Sequence, residues 1–89
     1  MDKNLVVNPV ISVVMPVYNS GQLLNLAIES ILDQTYTDYE FIIINDGSTD
    51  NTESVILSYT DRRIKYFKNP ANLGIVASLN KGIELAKAR

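Results

Sequence analysis

The run Phe41-Ile42-Ile43-Ile44 offers no polar position at which one face of a strand could meet water, and it stops abruptly at Asn45-Asp46-Gly47-Ser48-Thr49-Asp50. A strand apolar on both faces belongs inside a sheet covered on both sides, which is the habit of parallel α/β sheets. An earlier apolar run, residues 11–15, stops in the same way at Pro16-Val17-Tyr18-Asn19. Two such strands, each followed by a helix, place their polar ends along one rim of a parallel sheet. Open α/β sheets bind ligands outside the carboxyl ends of their strands. A binding edge is therefore expected there.

The rest of the chain fits this frame. Residues 1–9 read as a leader ended by Pro9. Pro16 is expected to end the first strand, and Asn19 or Ser20 to cap a helix with Leu24, Ala27, Ile28 and Ile31 inward, widened by Leu23 and Leu32. A polar loop at residues 33–38 leads to the second strand, residues 40–45. Asp50 and Glu53 have the spacing of a capping box for a short helix with Val55, Ile56 and Tyr59 inward. A third strand at residues 64–67 is broken by Asn69-Pro70. Asn72 is expected to cap a last helix whose inner stripe is Ile75 or Val76, Leu79, Ile83 and Ala86. The order β-α-β-α-β-α, with right-handed crossovers, gives a three-layer, Rossmann-like α/β unit with a parallel sheet. Residues 10–89 form one unit, since 89 residues suffice for a single domain.

Composition narrows the chemistry. The net charge of -2 supplies no basic field for a nucleic-acid backbone. Cysteine and histidine are absent, which removes thiolate chemistry, cysteine-ligated zinc and the commonest general base. No apolar run approaches the roughly 18 residues that span a bilayer, and the reading is cytoplasmic. No Gly-x-Gly-x-x-Gly follows the first strand, no P-loop lysine is present, and no Asp-x-Asp gives metal-ligand spacing.

The remaining candidates lie at the strand ends. Tyr18 offers a flat ring on which a base could stack; equally, it could cover a helix end while Asn19 only caps. Asp46, followed by Gly47, could accept a hydrogen bond from a nucleobase N–H, or could satisfy the backbone of Gly47 and Ser48 in an Asx turn. Asp50 is expected to be structural. Asn72 and Gly74 open the last helix on the same rim. Gly82 inside that helix costs about 1 kcal/mol against alanine and points to close helix–sheet packing.

Together these segments resemble the N-terminal part of family 2 glycosyltransferases, which have the GT-A fold. The matching pieces are Ile11-Ser12-Val13-Val14-Met15-Pro16-Val17-Tyr18-Asn19, Ser30-Ile31-Leu32-Asp33-Gln34-Thr35-Tyr36, Asn45-Asp46-Gly47-Ser48-Thr49-Asp50, Asn72-Leu73-Gly74 and Asn80-Lys81-Gly82. Where many relatives carry Ala-Arg-Asn before the helix glycine, this chain has Ser78-Leu79-Asn80. The resemblance implies transfer, with inversion, of a sugar from a nucleotide-diphosphate donor, commonly a UDP-sugar, to a saccharide or lipid-linked acceptor. It implies a nucleotide site made of Pro16, Val17, Tyr18, Asn19, Asp46, Gly47, Ser48, Asn72 and Gly74, with Tyr18 stacking and Asp46 receiving the base N–H. It also implies Mg²⁺ or Mn²⁺ held by an Asp-x-Asp beyond Arg89, with the catalytic base further on, so that the chain is a truncated, inactive half without catalytic residues. The full-length protein would be cytoplasmic or peripheral at the inner face of a membrane. The implied strand order is 3-2-1, which leaves the first strand as an open apolar edge and suggests homo-oligomers. The rival reading is a stand-alone α/β domain that binds a protein partner or serves as a scaffold.

Overall fold

Strand β2, Tyr39–Asn45, is buried along its whole length, as its composition demands, and the other elements are arranged about it. The computed structural model describes residues 11–34 and 38–86, so the leader and the middle of the loop before β2 lie outside the described residues. Along the chain β2 is preceded by β1, Ile11–Val17, and α1, Leu23–Leu32. It is followed by α2, Thr52–Leu57, then β3, Ile64–Lys68, and α3, Ile75–Leu85. The sheet is parallel in the order β1-β2-β3, with β1 on an edge.

Strand parity sorts the side chains onto two faces. Val13, Met15, Val17, Phe41, Ile43, Ile64 and Tyr66 join Leu24, Ile28, Ile31, Leu32, Val55, Ile56 and Tyr59 in one core beneath α1 and α2. Ile42 and Ile44 are buried on the opposite face, where α3 packs on β1 and β2. Burying each such isoleucine contributes roughly 1.5–3 kcal/mol, which makes β2 the main apolar anchor of the fold.

Several expectations are corrected. β1 does not stop before Pro16: it runs to Val17, with Pro16 in register with Ile44. Proline is tolerated because β1 is an edge strand, where a missing N–H breaks no ladder. Neither Asn19 nor Ser20 caps α1; Gln22 occupies that position without a side-chain bond. Ala27 and Leu23 face outward, the latter 74% exposed, while Leu24 and Ile28, one turn apart, are the buried positions of α1.

The capping box at α2 does not form. Asp50 accepts hydrogen bonds from the Thr52 N–H and hydroxyl, while Glu53 turns away to accept the Tyr66 hydroxyl proton at 2.7 Å. A tertiary partner outcompetes the local one. The inner stripe of α3 is also different: Ser78 and Gly82 are buried, while Ile75, Val76 and Ile83 are 65–69% exposed. The Gly82 hydrogen faces Val14, and a Cβ there would lie 2.2 Å from Val14 Cγ1. The helix therefore lies on the sheet by its small face, which forces the apolar stripe outward. No helix among the described residues is long and apolar enough to cross a membrane.

Candidate functional site

Register fixes the rim. Val17 pairs with Asn45, and Asn45 with Lys68, so Tyr18, Asp46 and Asn69 are each the first residue past a strand. They form a row across the carboxyl edge of the sheet. The Asp46 N–H donates to the Val17 carbonyl at 2.8 Å, and the Asn69 N–H to the Asn45 carbonyl at 2.8 Å, which carries the ladder one step beyond the strands.

The Asp46 side chain is buried and turns toward the β3–α3 connection. Its Oδ1 accepts from the Leu73 N–H at 2.8 Å and the Asn69 amide at 3.0 Å, and its Oδ2 from the Gly74 N–H at 2.9 Å. The Leu73 N–H, then the Asn69 amide, with smaller help from Gly74 and Ser78, hold the carboxyl below its ordinary value of 3.8 against the opposing effect of burial. It is a carboxylate at neutral pH. Its charge sits at the start of α3, whose N-cap is Gly74 at φ 95° with no side-chain cap. Asn72 does not cap the helix as expected; Asp46, one residue past β2, bonds the two N–H groups just before α3 and complements the positive end of the helix dipole.

This connection can approach only because residue 47 is glycine. At φ +72°, a Cβ on Gly47 would lie 2.5 Å from the Ala71 carbonyl carbon and 2.7 Å from the Asn72 nitrogen. The glycine thus admits a neighbouring backbone.

The result is an open pocket of about 340 Å³, lined by Pro16, Val17, Tyr18, Asp46, Asn72, Gly74, Ile75 and Ser78. Tyr18 stands at its mouth, 49% exposed. Six of the nine residues expected in the site meet at this pocket. Asn19, Gly47 and Ser48 do not line it. Asn19 and Ser48 bind each other instead: the Asn19 N–H donates to Ser48 Oγ at 2.9 Å, and Asn19 Oδ1 accepts from the Thr49 N–H at 2.8 Å.

Sequence reasoning missed Asn69, Ile75 and Ser78. Asn69 is one residue beyond a strand, as Tyr18 and Asp46 are, and the same rule could have found it. Ser78 is buried and its Oγ accepts from the Asn69 amide at 3.1 Å. Among the described residues, no three His, Cys, Asp or Glu side chains are placed to hold a metal ion. The Mg²⁺ or Mn²⁺ implied by resemblance therefore has no fitting donor set among them.

A parallel α/β unit with an apolar-walled pocket and a buried carboxylate at its carboxyl rim defines a Rossmann-like domain. Likeness to known proteins makes this specific. The chain belongs to glycosyl transferase family 2, whose sequence profile matches residues 12–89. It is 47% identical over 77 residues to an uncharacterized glycosyltransferase of Haemophilus influenzae, covering 84% of this chain and 24% of that one. It is 42% identical over 80 residues to an uncharacterized glycosyltransferase of Rickettsia typhi, covering 90% and 24%. It is 34% identical over 79 residues to the Escherichia coli UDP-Glc:alpha-D-GlcNAc-diphosphoundecaprenol beta-1,3-glucosyltransferase WfgD, covering 89% and 31%. Among solved structures, S. aureus TarS superposes with a TM-score of 0.81 at 26% identity, over 88% of this chain and 24% of that one. The fold is the N-terminal part of the GT-A fold. The chain spans about a quarter of the length of the first curated relatives it matches.

Proposed function

We propose that the rim pocket holds the nucleoside of a nucleotide-diphosphate sugar, and that the chain is the donor-binding part of an inverting glycosyltransferase. The observation that carries this reading is the row of Tyr18, Asp46 and Asn69 past three registered strands, with Tyr18 and Asp46 lining one pocket. Stacking on Tyr18 supplies roughly 1–3 kcal/mol by analogy with other aromatic–base platforms. Asp46 Oδ1 is occupied by two donors, whereas Oδ2 takes the Gly74 N–H alone at 2.9 Å, so Oδ2 is the atom that accepts a base N–H. Pro16, Val17 and Ile75 exclude water from the edge of the base.

The name of the WfgD relative, a glucosyltransferase using UDP-Glc, supports uridine as the base. The diphosphoundecaprenol in the same relative's name supports a saccharide or lipid-linked acceptor for the whole protein, and we place its work at the inner face of a membrane. The part of the pocket residues in the transfer is to bind and orient the donor. The chain binds nucleotide and does not turn over by itself. Its β1 strand, at the edge of the sheet among the described residues, associates with a second copy at high concentration.

Titration with UDP followed by amide NMR tests the pocket. Shifts should concentrate at the amides of residues 17, 18, 46 and 72–78. Unchanged spectra at millimolar UDP would overturn nucleoside binding by this chain and leave the scaffold alternative.

A further inference from the structure

Tyr18 is held on both sides by bonds from the β2–α2 connection, although its own ring projects into solvent. On one side the Val17 carbonyl accepts from the Asp46 N–H at 2.8 Å. On the other, Ser48 Oγ accepts from the Asn19 N–H at 2.9 Å, which fixes the peptide plane immediately after Tyr18. Asn19 needs that hold. It sits at φ +48°, a conformation costly for any residue with a Cβ and tolerated best by asparagine among non-glycines. Its side chain closes the loop by accepting from the Thr49 N–H at 2.8 Å.

Ser48 is itself anchored from beneath. Its N–H donates to Asn45 Oδ1 at 3.0 Å, and Asn45 is wholly buried. The Asn45 amide donates to the Tyr66 hydroxyl at 3.0 Å, which donates to Glu53 at 2.7 Å. A continuous series of hydrogen bonds thus runs from α2 and β3 through Asn45 and Ser48 to the residue beside Tyr18. None of Asn19, Ser48 or Asn45 lines the pocket.

We propose that Ser48, acting through Asn19, is a positioning residue that sets the Tyr18 ring for stacking on the base without touching the ligand. The proposal rests on the nucleoside reading of the pocket. An unheld Tyr18 would sample several backbone and ring orientations, and the ligand would have to select one at an entropic cost.

The test is a double-mutant cycle on UDP affinity by NMR titration, using the full chain. Loss of one ordering hydrogen bond predicts that Ser48→Ala weakens UDP binding about three- to ten-fold. Ser48→Thr, which keeps the hydroxyl, should stay near the parent affinity. In a Tyr18→Ala background, Ser48→Ala should have no further effect, because nothing remains to be positioned. A purely structural role, or direct contact of Ser48 with nucleotide, would give the same loss in both backgrounds and overturn the proposal. So would full affinity in Ser48→Ala alone. If Tyr18→Ala itself leaves the affinity unchanged, the nucleoside reading falls first, and the positioning role with it. Should Ser48→Ala not fold, Asn19→Gly, which keeps the N–H to Ser48 and tolerates the positive φ but loses the side-chain bond from the Thr49 N–H, loosens the same junction and is expected to show the same dependence on Tyr18.

Discussion

Gly47 and Gly21 both adopt positive φ, +72° and +43°, but they differ in what surrounds them. Replacing either with alanine incurs the left-handed penalty, about 1–2 kcal/mol. At Gly21 the new Cβ would meet only side-chain oxygens, Asp50 Oδ2 at 3.2 Å and Asn51 Oδ1 at 3.4 Å, and both belong to exposed residues that can shift. At Gly47 it would meet the backbone of residues 71 and 72 at 2.5–2.9 Å. Relief needs a displacement of roughly 1 Å, since carbon contacts are optimal near 3.5–4.0 Å. Backbone shifts of that kind cost about 1–3 kcal/mol, so Gly47→Ala should be destabilised by about 2–5 kcal/mol in total and Gly21→Ala by about 1–2 kcal/mol.

Urea unfolding of the two variants beside the parent measures the difference. With a slope of about 1–3 kcal/mol per molar, the Gly47→Ala midpoint should fall well below that of Gly21→Ala. The displaced segment carries the Leu73 and Gly74 N–H groups bound to Asp46, so amide shifts of residues 69–74 should move in Gly47→Ala and stay in place in Gly21→Ala. Unfolding free energies equal within about 0.5 kcal/mol, the usual error of additivity, would refute the claim that this glycine admits the β3–α3 backbone.

Tyr18→Ala should weaken UDP binding by roughly 1–3 kcal/mol, about five- to 150-fold, while Tyr18→Phe keeps most of the affinity; isothermal titration distinguishes the two. Gly82→Ala should be destabilising despite its better helix propensity of about 1 kcal/mol, because its Cβ meets Val14; adding Val14→Ala should recover a coupling above about 0.5 kcal/mol in urea melts. Acid should destabilise the chain: Asp46, Glu53 and Asp61 are all held below their ordinary values, chiefly by the Leu73 N–H, the Tyr66 hydroxyl and the Arg63 guanidinium respectively. Carboxyls depressed in the folded state contribute stability that is full above their unfolded values, near pH 4, and is lost as pH falls through the folded ones. Urea midpoints should therefore be flat from about pH 7 to 5 and drop below about pH 4, with Asp46→Asn showing a shallower acid limb. Sedimentation of the 89-residue chain at high concentration should show dimers or larger species, and Ile11→Lys should return it to monomer by charging the open edge.

Strand β2 was legible because four consecutive apolar residues leave no face for water, and that statement is local. The row of candidate side chains at the rim was legible for a related reason, since the strand ends set their height and the parallel order sets their neighbours. The helices were less so. In α3 the spacing of Ile75, Leu79 and Ile83 has the period of a buried stripe, yet these residues are exposed and Ser78 and Gly82 face the sheet. Periodicity reports that a helix has an apolar face. It does not report which face the sheet takes when the other is lined with small residues and the connection before it is drawn tight. That second fact is set by Gly47 and Asp46, more than 25 positions earlier in the chain.

The two readings of Asp46 open at the sequence level, a ligand acceptor or a local Asx turn, are both incomplete. The carboxylate satisfies backbone N–H groups, but those of Leu73 and Gly74 and not of its own turn. On the nucleoside reading proposed above, this long-range bonding is what suits the residue to a ligand. An aspartate left free at a rim would be solvated and would change rotamer as a base arrived, with the loss of order that implies. Three donors hold this one at a fixed angle and keep it ionised. The same bonds draw the start of α3 against the pocket and bring Ile75 and Ser78 into its wall. An asparagine at residue 46 would keep the shape of the side chain but could accept at one atom only, and so could not serve the Leu73 and Gly74 N–H groups from separate oxygens. The carboxylate is needed to assemble the pocket, and Asp46→Asn is expected to shift the amide signals of residues 73 and 74 in the absence of ligand.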